Sequence, residues 1–168
     1  MTRTMTAVLA VAAALTVGPL AVPAASVTPA KPIEGTAGDD RLQGTAQADV
    51  ILGRAGDDVL RGGAGSDLLV GGAGGDRLRD VVWIPGEDFN ISKRRDVFRG
   101  GPGRDVIRAG PNDIVRAGNG DDHVWSYYTT DDTVLDCGPG SRDVLHLHND
   151  IRGERIIGCE DIEIRYAS

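Results

Sequence analysis

The sequence predicts an all-β fold, a parallel β-solenoid in which the chain winds through short strands and tight turns. Three observations predict it. Aromatic residues make up only 4% of the chain, although aromatic side chains usually contribute much of a globular core. Glycine occurs 24 times, and nearly all of these residues lie between positions 35 and 140. The same region repeats itself with a nine-residue period, which is typical of stacked repeat proteins.

Five nonapeptides in unbroken register run from residue 35 to residue 79: GTAGDDRLQ, GTAQADVIL, GRAGDDVLR, GGAGSDLLV and GGAGGDRLR. Their sixth residues are Asp40, Asp49, Asp58, Asp67 and Asp76, and their eighth residues are Leu42, Ile51, Leu60, Leu69 and Leu78. Because glycine permits tight turns, each unit is predicted to be a turn followed by a short strand whose eighth side chain points inward. Two units form one coil, and coils stack about 4.8 Å apart.

A second series of units follows an interruption at residues 80–95. It contains Asp96-Val97-Phe98, GGPGRDVIR with Asp105 and Ile107, AGPNDIVR with Asp113 and Val115, AGNGDDHVW with Asp122 and Val124, SYYTTDDTVL with Asp132 and Val134, and GPGSRDVL with Asp143 and Leu145. The two series predict roughly six coils over residues 35–149. The interruption carries Trp83 and the basic run Lys93-Arg94-Arg95. A protruding recognition loop and a tolerated surface insertion both fit it.

The first 25 residues are predicted to be a secretory signal peptide. Arg3 precedes an apolar run that ends at Gly18-Pro19, and small residues around Ala24 suit cleavage. A retained membrane anchor is the alternative, although the run is shorter than the about 20 residues of a membrane span. Residues 26–34 are predicted to be a linker. The predicted location is therefore secreted or extracellular, with association at a cell wall left open.

The C-terminal residues 150–168 are predicted to close the solenoid, because Ile162 and Ile164 alternate with polar residues as in a strand with one buried face. Cys137 and Cys159 fit an oxidising compartment and could form one disulfide. Two free thiols are the alternative. A disulfide would tie the closing element to the repeats.

Charge and composition restrict the partners. The chain carries 18 basic and 25 acidic residues, a net charge of −7, and loss of Arg3 with the leader would make it −8. An acidic chain is a poor ligand for nucleic acid or an anionic membrane surface. Calcium, which prefers six to eight carboxylate and carbonyl oxygens at about 2.3–2.6 Å, suits glycine turns that end in aspartate. We expect calcium ions as partners of a monomeric chain with no membrane span and with an unidentified extracellular partner.

Three units, GGAGSDLLV, GGAGGDRLR and GGPGRDVIR, match the pattern GGxGxDxUx at every defined position. The repeats thus resemble the repeats-in-toxin (RTX, haemolysin-type) calcium-binding nonapeptide. The resemblance implies a parallel β-roll with Ca²⁺ bound in the turns. By position, the implied metal ligands are the acids Asp40, Asp49, Asp58, Asp67, Asp76, Asp105 and Asp122, with the turn carbonyls of Gly53, Ala55, Gly62, Ala64, Gly71 and Ala73.

Several turns depart from the repeat. Gln47 replaces the fourth-position glycine, so that turn is expected to bind calcium weakly, and no calcium is assigned to the shortened turn at Asn112. The paired acids Asp39, Asp57 and Asp121 could add ligands or could be solvated charge. The recurring Arg99, Arg108 and Arg116 are interpreted as neutralising neighbouring acids.

No enzyme is predicted. The sequence contains neither HExxH nor GxSxG. His146 and His148 could begin a zinc site, but a structural pair is the favoured interpretation, and His123 is expected to point outward. Two other functions stay open: a carbohydrate-active enzyme on a short β-helix, and an adhesin that acts through residues 80–95.

Overall fold

A computed structural model describes residues 31–79, 94–127, 132–148 and 155–165. These residues form the strands β1 Ile33–Glu34, β2 Arg41–Gln43, β3 Val50–Ala55, β4 Val59–Arg61, β5 Leu68–Ala73, β6 Arg77–Arg79, β7 Val97–Pro102, β8 Val106–Ala109, β9 Ile114–Asn119, β10 His123–Tyr127, β11 Val134–Asp136, β12 Val144–His148, β13 Arg155–Ile157 and β14 Asp161–Arg165. No helix in this part of the chain is long and apolar enough to cross a membrane. The predicted signal peptide, most of the predicted linker and residues 80–93 of the interruption lie outside the described residues.

The strands form two parallel sheets of seven strands each, which confirms the predicted solenoid. Sheet A has the order β1-β3-β5-β7-β9-β11-β13, and sheet B has the order β14-β12-β10-β8-β6-β4-β2. Each strand pairs with the strand one coil later, as Val50 pairs with Leu68 and Val59 pairs with Arg77. Two nonapeptides therefore make one coil, because successive units alternate between the sheets.

The core is a ladder of eighth-position side chains between the two sheets. The fully buried members are Ile51, Leu60, Leu69, Leu78, Phe98, Ile107, Val115, Val124, Leu135 and Leu145. Burial alternates along the regular repeat strands, as in β4, β6 and β9, so the seventh and ninth residues face outward there. Burying an aliphatic side chain of this size contributes about 1.5–3 kcal/mol, and each rung packs only on its neighbours above and below.

In the unit without glycine, the observed register differs from the predicted one by one residue. Leu135, and not Val134, points into the core, so the residue at the sixth position is the buried Thr133 and not Asp132. The hydroxyl of Thr133 accepts a hydrogen bond from the Asn112 N–H at 3.1 Å. The predicted register relied on Asp132 as the sixth-position acid. It was wrong because the hydroxyl oxygen of Thr133 takes the place of the carboxylate oxygen as hydrogen-bond acceptor.

Units of irregular length are accommodated without loss of pairing. Equivalent residues one coil apart are 18 positions apart in the first coils, 29 across the interruption, 17 in the shortened unit and 21 in the glycine-free one. The interruption thus adds 11 residues to one coil, the difference between 29 and 18. Strands β5 and β7 still pair through Leu68 and Val97.

At the C-terminal end, β13 and β14 add one further strand to each sheet. Cys137 and Cys159 form a disulfide with a Cα–Cα distance of 5.2 Å, which links the buried residue directly after β11 to the turn before β14. Ile162 and Ile164 of β14 pair with the buried Leu145 and Leu147, but they remain 43% and 36% exposed. The described residues therefore do not cover the face that was predicted to be buried, and β14 extends sheet B by one strand. At the other end, β1 lies within the predicted linker and begins sheet A at Ile33.

Candidate calcium-binding turns

The turns lie along two edges of the solenoid. The first edge leads from sheet A into sheet B, and its sixth-position residues are Asp40, Asp58, Asp76, Asp105, Asp122 and Asp143, with Glu160 in the last coil. The second edge leads from sheet B into sheet A, and its residues are Asp49, Asp67, Asp96, Asp113 and Thr133. Stacking therefore sorts alternate units of the sequence onto opposite edges.

Both edges are joined by a ladder of aspartate hydrogen bonds. The Oδ1 of each aspartate accepts a hydrogen bond from the backbone N–H of the aspartate one coil earlier, for example Asp58 N–H to Asp76 Oδ1 at 2.8 Å and Asp105 N–H to Asp122 Oδ1 at 2.8 Å. In the last rung the Glu160 carboxylate accepts from the Asp143 N–H at 2.9 Å. One carboxylate oxygen of each acid is thus committed to the fold.

On the first edge, a continuous row of second carboxylate oxygens has no hydrogen-bond partner among the described residues. The buried, unpaired Oδ2 atoms there belong to Asp58, Asp76, Asp105, Asp122 and Asp143, and on the second edge Asp67 has one as well. A buried oxygen without a partner costs about 1–3 kcal/mol, and more when it is charged. The row therefore marks oxygens that a cation could satisfy.

Two turns satisfy this oxygen with threonine. The Asp40 Oδ2 accepts from the Thr36 N–H at 2.6 Å and from its hydroxyl at 2.9 Å. The Asp49 Oδ2 accepts from the Thr45 N–H at 2.6 Å and from its hydroxyl at 2.9 Å. Asp113 Oδ2 is held similarly by the Gly110 N–H at 2.6 Å. The Oδ2 atoms of these three acids therefore have hydrogen-bond partners within their own turns.

The residue at the second position explains the two kinds of turn. Where it is glycine, as at Gly72 and Gly101, the backbone takes a positive φ of 117° and 125°, a region that β-branched residues avoid. Threonine at Thr36 or Thr45 keeps a negative φ, and its N–H bonds to the aspartate of its own turn. We name the two kinds glycine turns and threonine turns. The turn with Arg54 at its second position counts as a glycine turn, because Arg54 also has a positive φ, of 84°.

Backbone oxygens converge on the unpaired carboxylates in the glycine turns. A Cβ built on Gly53 would meet both the Asp58 Oδ2 and the Gly71 carbonyl oxygen of the next coil. The carbonyl oxygens of the second and fourth positions face the coil that follows. On the first edge these are Arg54, Gly72, Gly101 and Gly118 at the second position and Gly56, Gly74, Gly103 and Gly120 at the fourth. Buried carboxylate and carbonyl oxygens at one place form the donor set that calcium prefers.

Burial raises the pKa of the acids that have an unpaired oxygen, and neighbouring carboxylates of the ladder raise it further, against the opposing effect of the backbone hydrogen bond. The pKa rises from 3.8 to about 6 for Asp76 and Asp122 and to about 7 for Asp105. The pKa of Asp58 and of Asp143 is raised for the same main reason. A cation that compensates the charge would lower the cost of ionising these groups.

The structure sorts the predicted acids by edge. Asp40, Asp58, Asp76, Asp105 and Asp122 lie on the first edge, and Asp49 and Asp67 lie on the second. Asp143 belongs to the same row of unpaired oxygens but was missed, since its unit GPGSRDVL is one residue short.

The predicted carbonyls are those of Gly53, Ala55, Gly71 and Ala73 on the first edge and of Gly62 and Ala64 on the second. The prediction chose the first and third positions, whereas oxygens of the second and fourth positions also face the next coil. The Ala73 carbonyl already accepts a hydrogen bond from the Gly56 N–H at 2.9 Å. These carbonyl oxygens could have been predicted from the turn glycines of the next coil, because a side chain at those glycines would collide with them.

The paired acids form a second, exposed ladder beside the first. The Asp39 Oδ1 accepts from the Asp57 N–H at 2.8 Å, and the Asp57 Oδ1 accepts from the Gly75 N–H at 2.8 Å. Asp121 binds the Ser141 N–H and hydroxyl and forms an ion pair with Arg142 at 3.1 Å. Hydrogen bonds between coils therefore account for these acids.

The histidines lie on the outer face of sheet B. His123 points outward, as expected, and His146 stacks on Trp125 while His148 stacks on Tyr127, with ring centroids 3.7 Å and 5.2 Å apart. Among the residues with described positions, no three His, Cys, Asp or Glu side chains are grouped to hold a metal ion. The glycine turns differ from such clusters because they place backbone carbonyl oxygens beside single carboxylates.

Comparison with protein families finds four copies of the RTX calcium-binding nonapeptide repeat, at residues 34–69, 43–78, 93–111 and 112–127. These copies include the glycine turns of Asp58, Asp67, Asp76, Asp105 and Asp122, whereas Asp143 lies beyond them. No curated protein and no solved structure matched the chain.

Proposed function

Because this chain belongs to the family of RTX calcium-binding nonapeptide-repeat proteins, we propose that it is a secreted structural protein whose β-roll folds when calcium binds. Calcium supplies positive charge and accepts several oxygen ligands at once. The observation that carries the proposal is the first-edge row of buried, unpaired Oδ2 atoms. Without a cation these carboxylates repel one another inside a fold that buries few large side chains.

We assign the calcium sites to the spaces between consecutive glycine turns of the first edge. The acids that face these spaces are the pairs Asp58 and Asp76, Asp76 and Asp105, Asp105 and Asp122, and Asp122 and Asp143. Carbonyl oxygens of the second and fourth positions in these turns face the next coil. On the second edge, Asp67 is the candidate ligand, since the Oδ2 atoms of Asp49 and Asp113 already have partners.

The threonine turns have a complementary role. Their acids are satisfied by hydrogen bonds within the turn, so the coil that contains Thr36 and Thr45 needs no cation to order its turns. It would provide a template on which the calcium-dependent coils stack, because each coil of a solenoid is stabilised mainly by its neighbours.

Coupling to calcium fits a protein that is exported. Extracellular calcium modules commonly bind with dissociation constants of about 10⁻⁴–10⁻³ M, so low intracellular calcium would leave the chain unfolded and millimolar calcium outside would fold it. Binding to the folded state alone stabilises it by RT ln(1 + [Ca²⁺]/Kd) for each independent site. A leader within residues 1–25 would direct export, and the folded chain would act as an extracellular or cell-wall module without catalytic activity.

The proposal is tested by titrating the purified chain with calcium while far-UV circular dichroism follows strand content. Strand signal should rise with calcium, stay low with magnesium and disappear with chelator. A chain that is fully folded in chelator and unaffected by calcium contradicts the proposal.

Calorimetric titration of variants tests the assignment of the sites. Asp105→Asn removes a carboxylate shared by two spaces and should weaken calcium binding at least about tenfold, the effect of about 1.4 kcal/mol. Asp132→Asn is the matched control, since its exposed side chain carries the same charge but lies on the second edge, away from the spaces between first-edge turns. An equal loss of calcium affinity in both variants would show that only net charge matters, and it would contradict the assignment of the sites.

A further inference from the structure

The outer face of sheet B carries a row of arginines that the calcium turns do not use. Arg61, Arg79 and Arg108 occupy the ninth position of three neighbouring strands and pair directly in register. Adjacent strands lie about 4.8 Å apart, so the row presents cationic groups at that interval along the solenoid axis. We refer to these three residues as the arginine row.

No ion pair accounts for the row among the described residues. In residues 31–79, 94–127, 132–148 and 155–165, the ion pairs within 4.0 Å involve Arg54, Arg95, Arg142, His146 and Arg165, and none involves the arginine row. The interpretation that Arg108 neutralises a neighbouring acid therefore finds no support in this part of the chain. Burial, with the nearby charges of Arg61 and Arg108, lowers the pKa of Arg79, as expected where like charges stack.

The row continues into an aromatic surface. Trp125 pairs with Arg108 on the next strand, and its ring is held in place by His146, which stacks on it with an interplanar angle of 15°. Tyr127 and His148 stack beside them. A fixed indole ring next to guanidinium groups that form no ion pair with the described residues offers an apolar surface and anion-binding donors at one site.

An open cleft of about 270 Å³ lies beside Trp125. Arg77, Arg104, Val106 and His123 also line it, and the Arg104 guanidinium lies 3.0 Å from the His123 Nε2. Asp76 is an acid in this lining and belongs to the first-edge ladder. The cleft thus adds two further guanidinium groups beside the row, with Arg77 on the same strand as Arg79.

We propose that the arginine row and Trp125 bind an acidic polysaccharide that lies along the solenoid axis. Its carboxylates pair with the guanidinium groups, which bind carboxylates through two parallel hydrogen bonds, and one sugar ring packs on the indole ring at the cleft. The strand beneath the row is short, with β6 spanning Arg77–Arg79, or about 10 Å. Acidic turns border this strip, so it has room for one extended anionic chain and not for a nucleic-acid duplex.

Binding of an acidic polysaccharide is a function separate from calcium binding, and it is tested with a double substitution and a matched control. Hyaluronan fragments, which carry one carboxylate per disaccharide, are titrated in millimolar calcium onto the wild-type chain, Arg79→Gln/Arg108→Gln and Arg99→Gln/Arg116→Gln. The control pair occupies the same repeat position on sheet A, so both variants lose the same charge. We expect the sheet B variant to lose at least about tenfold in affinity and the control to stay within about twofold.

Further measurements distinguish specific binding from general attraction between opposite charges. Trp125→Ala should weaken hyaluronan binding by about tenfold while the calcium-induced circular dichroism signal is retained, and neutral dextran should not bind. Equal losses in the two arginine variants would overturn the inference. A single-stranded oligonucleotide or anionic vesicle that binds more tightly than hyaluronan would also overturn it, as would no binding by the calcium-loaded wild-type chain.

Discussion

Lowering the pH should partly replace calcium as the stabiliser of this fold. Five acids of the first edge have raised pKa values in the folded chain, namely Asp58, Asp76, Asp105, Asp122 and Asp143. Protonation therefore favours the folded state over the unfolded state. The stability of the calcium-free chain should therefore be greatest near pH 4, decrease as the pH rises from about 4 to about 7, and stay low above that range. This direction is opposite to that of carboxylates in ion pairs, which stabilise a fold when they ionise.

The size of the effect follows from the individual groups. Each pKa unit corresponds to about 1.4 kcal/mol. With its pKa raised from 3.8 to about 7, the fully buried Asp105 would cost the metal-free fold about 4 kcal/mol when ionised at neutral pH. Asp76, with a pKa of about 6, would cost about 3 kcal/mol. Folded domains are stable by only about 5–15 kcal/mol, so two or three such groups decide whether the chain folds.

The assay is far-UV circular dichroism of the calcium-free chain, with urea denaturation at about pH 4.5 and about pH 7.5. Strand signal should be greater at the lower pH. Asp105→Asn should make the calcium-free chain more stable at the higher pH and leave it nearly unchanged at the lower one, yet it should weaken calcium binding. Stability that is constant or increases over this pH interval would refute the reasoning, because burial would then not raise the pKa of these carboxyls.

Three further changes have defined outcomes. Gly100→Ala places a methyl group against the carboxylate of its own turn and should lower the thermal midpoint in calcium by several degrees, whereas Gly38→Ala, with its nearest atom 4.0 Å away, should leave the midpoint unchanged. Arg54 has a φ of 84°, so Arg54→Gly should stabilise the chain by about 1 kcal/mol in urea denaturation, because the exposed ion pair that is lost contributes little. Replacing Cys137 and Cys159 by serine should cost about 3 kcal/mol, and an unchanged urea midpoint would show that the disulfide does not stabilise the last coil.

The fold was predictable because its requirements are local. Glycine at the turn positions, aspartate at the sixth position and an aliphatic residue at the eighth repeat in the sequence, and each follows from backbone conformation or from the alternation of side chains along a strand. The inward position was missed in the glycine-free unit, where Thr133 replaces the acid and Leu135 is the core residue. In that unit, several acids and aliphatics compete for the same register.

The sequence by itself determined the nine-residue period, the inward ladder and the sixth-position aspartates, which as a class are the proposed calcium ligands. The tertiary structure decided which of their oxygens stay unpaired, because Thr36 and Thr45 satisfy the acids of two turns while the later first-edge acids are buried without a second partner. It also placed Arg79 beside Arg108 across a separation of 29 residues, which no fixed period predicts. Burial and cross-coil pairing depend on the coils above and below, and these neighbours are set only when the chain stacks.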